Sequence, residues 1–343
     1  MSRAPAACVT VAIALALWGC VVAPSPSLPP TPSPTPTPSL PPMPSPTARD
    51  TAAAAGSVLF VGWETRADRA DLLVIDEGGA IARMPLPAIP GGPVVAGPDG
   101  ALAFVSGPAD TPLLWTSSRP PDAPRWESQP LAPPVPLDEP LSWLCLGSGA
   151  PPRVAVQAVV RGALVAAVVA DGRLTIFPPG RLAHRPGGCA WVDPDHLLVA
   201  VDRTGPPLPS SHGLAIVSAD GSGERLLDGP GGDEPTLSAT LLAYVAHEGG
   251  RDYRIAVGRM AGIEGPVPEP SMILRPEDER TFLRPVLSID GRRLALLEED
   301  AAGRPTRLLL WELDGEAARL SVAVEIAGAL AAGPAWVADA LAP

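Results

Sequence analysis

The chain has 343 residues, a formal charge of −12 and a pI near 4.8. So acidic a chain argues against a nucleic-acid partner, which needs a basic face, and offers no polybasic patch for anionic lipid. All 25 basic residues are arginine, and there is neither lysine nor asparagine. This excludes Schiff-base and P-loop lysine chemistry and N-glycosylation.

Residues 1–19 read as a secretory signal. Arg3 supplies the positive end, and Ala6 to Trp18 is an apolar run too short for a good membrane-spanning helix. The run ends in Leu17-Trp18-Gly19-Cys20, which resembles a bacterial lipobox, with Trp18 atypical at its position. Lipidation at Cys20 is therefore expected, making the chain anchored to a membrane and not spanning it. Residues 20–50 are a linker. Pro24 to Thr47 is almost only Pro, Ser, Thr and Leu, which cannot build a core and favours polyproline II. At about 3.1 Å per residue it would hold a domain on the order of 70 Å from its anchor. A stalk and plain disorder both fit that composition.

Residues 51–343 repeat. An apolar position two residues after a Pro-like anchor recurs at Val95, Trp143, Trp191, Leu237, Leu287 and Trp336. The clearest copy is Pro285 to Gly315, where a short strand, an Asp290-Gly291 turn and two further strands lead into Asp314-Gly315. One copy is a four-stranded antiparallel unit of about 48 residues, the length of a propeller blade. Second strands are read at Leu102 to Val105, Val154 to Val160, Leu197 to Val201, Leu241 to Val245 and Leu294 to Leu297. They are apolar on both faces, as sheets packed between two neighbours require. Asp-Gly between apolar runs marks the next hairpin, while the copies near Ser117 and Ala261 lack it and predict longer loops.

The last anchor has about seven residues after it, enough for one strand. The start of the repeat region has the converse: Val58 to Val61, Asp71 to Ile75 and Ala80 to Leu86 supply three strands with no anchor. Joining the two ends in one sheet closes the ring and removes both edges. The expected fold is all-β, a six-bladed β-propeller whose N- and C-terminal strands share a blade.

The copies Pro93 to Gly107, Ile216 to Leu227 and Pro285 to Asp300 resemble the TolB-type, WD40-like propeller repeat. That resemblance covers about 290 residues and implies a periplasmic or surface-exposed six-bladed propeller that usually binds proteins. Two departures stand out: a Pro-rich linker replaces the family's N-terminal α/β domain, and Val or Leu replaces the repeat Trp in three copies.

No enzyme chemistry is legible. There is no Gly-x-Ser-x-Gly elbow, and His184, His196, His212 and His247 stand in no zinc spacing, so no catalytic residue, metal or cofactor is assigned. His196 takes the Gly position of an Asp-Gly-type turn and is expected in an unusual backbone angle. Asp99, Asp220, Asp290 and Asp314 are explained by turn geometry. Cys145 and Cys189 are candidates for a disulfide. Aligned on Trp143 and Trp191 they are offset by four residues, on the order of 13 Å, against the 7 Å or so a bridge allows. A bend at Gly147 to Gly149 would be needed.

The functional candidate is a face, built from the fourth-to-first and second-to-third strand loops. It carries Glu139, His184, Arg185, Asp233, Glu234, His247, Glu248, Glu277, Asp278, Arg280 and Arg284. A solvated loop surface or a docking face for an envelope protein would both produce this pattern. The expected role is an exported, lipid-anchored protein-binding or scaffolding module, with a channel enzyme or carbohydrate-binding protein as the alternative.

Overall fold

The computed structural model describes residues 59–337 except 67–68, 76–80, 98–100, 118–124, 148–152, 171, 178–181, 203–211, 239, 248–252, 277–279, 289, 316 and 326–335. The signal-like segment, Cys20, the linker, Asp99, Glu248, Glu277 and Asp278 lie outside the described residues. Every regular element among those described is a strand, and the strands form six four-stranded antiparallel sheets. Five sheets follow chain order from inner to outer strand. The remaining one adds the late strand Trp336–Val337 to Leu59–Arg66, Arg69–Ile75 and Ile81–Pro85, with Leu59 opposite Val337 and Phe60 opposite Trp336. The first and last described strands therefore pair where the repeat pattern requires.

The core lies between the sheets. Successive residues on a strand point to opposite faces, and here each face meets a different neighbour. Leu72 and Val74 pack on Leu102 and Phe104 of the second sheet, while Leu73 and Ile75 pack on Ala295, Leu297 and Leu308 of the sixth. Leu198 and Ala200 face Leu242 and Tyr244, whereas Leu197 and Val199 face Ala155 and Ala166. Six such apolar layers are present, each shared by two sheets consecutive in the chain or by the first and last. The fold is an all-β propeller, and its second strands are apolar on both sides for this reason.

All six anchors fall on innermost strands, but they are not equivalent. Four innermost strands, Ser142–Leu146, Ala183–Asp193, Gly232–Ser238 and Thr281–Leu287, carry extra residues opposite their partners. Trp143 is the inserted residue of its strand, and the corresponding inserts are Arg185 to Gly188, Glu234-Pro235 and Arg284-Pro285. Trp143 therefore corresponds to the bulge before Cys189 and not to Trp191. This corrects the cysteine offset: Cys145 is the second paired residue after its bulge and Cys189 the first. The two are joined in a disulfide with Cα atoms 5.9 Å apart.

His196 departs from its expected backbone. It is not among the described residues with positive φ. Pro194-Asp195 forms the two-residue turn, with Asp193 paired to His196 and the Asp195 amide donating to Asp193 Oδ1. Proline at the first turn position leaves His196 to start the next strand, where its Nδ1 sits 2.9 Å from the Asp193 carboxylate. The longer hairpins are present: Ser117 pairs with Trp126, and Val257 with Met272.

Candidate functional site

The bulges aim side chains at one channel mouth. Trp143, Glu234 and Arg284 have φ of 42°, 50° and 53°, positive values that non-glycine residues rarely adopt. Gly187 and Gly188 occupy the matching bulge of the fourth sheet, also at positive φ. An extra residue in an antiparallel strand bends it and redirects its side chain. The redirected side chains meet. The Arg284 guanidinium lies 5.1 Å from the centre of the Trp143 ring, within cation–π range. Trp143 belongs to the third sheet and Arg284 to the sixth, which share no apolar layer, so this contact crosses the channel axis. The Arg284 amide donates to Glu234 Oε2 at 2.5 Å. A Cβ on Gly187 would approach Glu234 Cγ to 2.9 Å, so position 187 of that bulge favours glycine.

Beside this plug, Asp233 is the hub of a polar cluster. Its Oδ2 accepts from His212 Nδ1 at 2.6 Å and His247 Nε2 at 2.9 Å. Its Oδ1 accepts from Arg185 Nε at 2.9 Å, and Arg185 Nη1 reaches Asp202 Oδ1 at 2.7 Å. The His212 and His247 rings lie 4.2 Å apart, and Tyr253 meets His247 edge-on at 4.5 Å. Strand pairing places these groups. Asp202 pairs with His212, and His247 with Tyr253, so both pairs flank the same loop in adjacent sheets. A cavity of about 460 Å³ opens beside them, bordered by Asp233, Glu234, His247, Tyr253, Leu283 and Glu299.

The electrostatics of neighbouring carboxylates diverge. Burial pushes Glu234 up to about 7, against the pull of the Arg284 amide and charge, with Asp233 and Glu299 adding to the rise. A raised carboxyl favours folding while protonated. Its stabilising effect is complete below the ordinary value of 4.5 and is lost as pH climbs towards 7. Unfolding free energy should thus fall across that window, by on the order of 2 kcal/mol given the solvent that still reaches the group. Urea unfolding at several pH values checks this, and Glu234→Gln should flatten the slope.

Of the residues placed on the face from sequence, Arg185, Asp233, Glu234, His247 and Arg284 come together. Glu139 is exposed and stands apart. The His184 side chain is 6% exposed with its Nε2 3.8 Å from Glu224 Oε2, and this burial pushes its imidazole towards the neutral form. Arg280 is drawn instead to the buried Glu298, which also holds Arg307. Sequence reasoning missed His212 and Tyr253 as site residues and took Trp143 for a packing anchor. Aligning the copies on their second-to-third hairpins, Asp202…His212 with His247…Tyr253, would have exposed the first two.

No protein-family model and no curated protein matches the chain. Among solved structures it is similar to TolB from Acinetobacter baumannii, at 17% identity and a TM-score of 0.57 over 82% of this chain and 67% of that one. A protein from Lactobacillus plantarum aligns at 15% identity and 0.46, covering 78% and 82% respectively. A putative 6-phosphogluconolactonase from Bacteroides uniformis aligns at 11% and 0.48, covering 82% and 100%. At such identity the likeness to TolB speaks for the propeller fold alone.

Proposed function

We propose that the chain is an exported, lipid-anchored, six-bladed β-propeller that binds or scaffolds proteins at the cell envelope, docking them at the plugged mouth. Six sheets sharing six apolar layers support the blade number. The lipobox-like run ending at Cys20 and the Pro-rich linker support anchoring and display.

The mouth itself carries the reading. Three non-glycine residues sit in a costly backbone region at the same bulge of three sheets. Such strain persists where the surroundings enforce it and clusters at functional sites. The side chains it presents are a tryptophan and an arginine, types enriched where interfaces concentrate their binding energy. The ionisable cluster around Asp233, bordering the cleft, favours the second reading, a propeller enzyme or carbohydrate-binding protein.

Trp143→Gly with Arg284→Gly removes both side chains where glycine suits the backbone. Crosslinking the full chain in native envelopes should capture a protein partner, and the double variant should capture about tenfold less while keeping its unfolding midpoint. Equal capture by both forms, or none by the wild type, overturns the reading.

A further inference from the structure

We propose that His212, Asp233 and His247 bind one divalent transition-metal ion of the zinc class. One ligand atom from each of the three lies within 4.8 Å of the other two, and Oδ2 of Asp233 faces both Nδ1 of His212 and Nε2 of His247. Two imidazole nitrogens and one carboxylate oxygen do not suit calcium or magnesium, which take oxygen ligands. They match zinc and its late first-row neighbours.

The three ligands come from strands and not from loop tips. His212 opens the strand His212–Ser218, Asp233 lies on the innermost strand of the next sheet, and His247 ends Leu241–His247. Ladder pairing fixes each position: His212 opposite Asp202, Asp233 opposite Val245 and His247 opposite Tyr253. No spacing motif records such a site, because its members are 21 and 14 residues apart across two sheets.

The geometry needs little adjustment. Ligand atoms around a tetrahedral zinc ion at about 2.0–2.2 Å stand roughly 3.4 Å apart. Here the carboxylate oxygen is 2.6 Å from His212 Nδ1 and 2.9 Å from His247 Nε2, so the first ring must withdraw by about 0.8 Å and the second by about 0.5 Å. The N–H groups now turned to Asp233 would move their protons to the other nitrogen of each ring, since imidazole ligates as the neutral species.

The support around the site is also in place. Arg185 grips Oδ1 of Asp233, and Asp202 balances Arg185, so Oδ2 stays directed at both rings. Metal-binding carboxylates are commonly fixed this way by outer partners. The three ligand side chains are 11–18% exposed, shielded yet reachable. Three protein ligands leave a fourth position for water or a ligand, and Asp233 and His247 both border the cleft. A plain hydrogen-bonded network predicts the same resting distances and no ion affinity. The inference stands independently of what docks at the mouth.

Calorimetric titration of the full, chelator-treated chain in detergent with Zn²⁺ tests it. One ion per chain should bind with Kd of about 1 µM or tighter, and His212→Ala and His247→Ala should each weaken binding about a hundredfold. X-ray absorption on the zinc-loaded wild type should show two imidazoles in the first coordination shell, a readout that needs no variant to fold. No binding up to about 1 mM Zn²⁺, binding unchanged in folded variants, or fewer than two imidazoles would overturn the site.

Discussion

Asp233→Ala should destabilise the propeller by about 3 kcal/mol, the charge-assisted hydrogen bonds it anchors each being worth roughly 1.5–3 kcal/mol and not additive. The side chain is 12% exposed and accepts from Arg185, His212 and His247. Removing it strands three donors in a half-buried pocket. Arg185 keeps Asp202 at 2.7 Å, which is why the loss stays below that of a fully orphaned buried charge. Asp233→Asn preserves shape and an acceptor oxygen, so it should lose about half as much.

The sign of the acid response is fixed. Burial alone would raise the Asp233 carboxyl, but the hydrogen bonds from His247 and His212 and the charge of Arg185 outweigh it and hold the group below its ordinary 3.8. A depressed carboxyl contributes stability above its unfolded value and loses it as pH falls through its folded value. Wild type and Asp233→Asn should therefore differ at neutral pH and converge below about pH 4. Urea unfolding at pH 7 and pH 3 measures both. A loss under about 1 kcal/mol at pH 7 would mean the partners hydrate independently.

The fold was largely legible because a propeller writes its period into the sequence. Leu197 to Val201 and Leu294 to Leu297 are apolar on both faces, since each alternate residue meets a different sheet. The pairing of Trp336 with Phe60 was readable from which strands each end lacked. The site was only half legible, because it depends on bulges. An inserted residue leaves hydropathy almost unchanged while moving every later side chain. Trp143 reads like Trp191 by its neighbours, yet it reaches Arg284 across the axis, and Trp191 instead lies against Gly147. His212 is invisible to spacing rules because strand pairing, not sequence distance, carries it to Asp233. The same bulges misplaced the cysteines in a register drawn without them.

That register makes the second large effect specific. Replacing Cys145 and Cys189 together by Ala should cost about 4 kcal/mol, the loop-closure entropy of a cross-link spanning 44 residues. A reduced unfolded chain is also less compact, so the urea m-value should rise with the loss. The bridge ties the innermost strands of the third and fourth sheets together just beyond their bulges. Cys189 directly follows Gly188, whose Cβ position lies 4.0 Å from Trp143 Cε3, and Trp191 Nε1 donates to the Cys145 carbonyl at 3.4 Å. Loosening this seam should therefore free the plug as well as the fold. In a background where Trp143 is the reporter, its emission should shift towards that of a solvated indole before global unfolding begins. A stability loss under about 1 kcal/mol, with Trp143 emission unmoved, would show that the ladders alone hold the mouth in register.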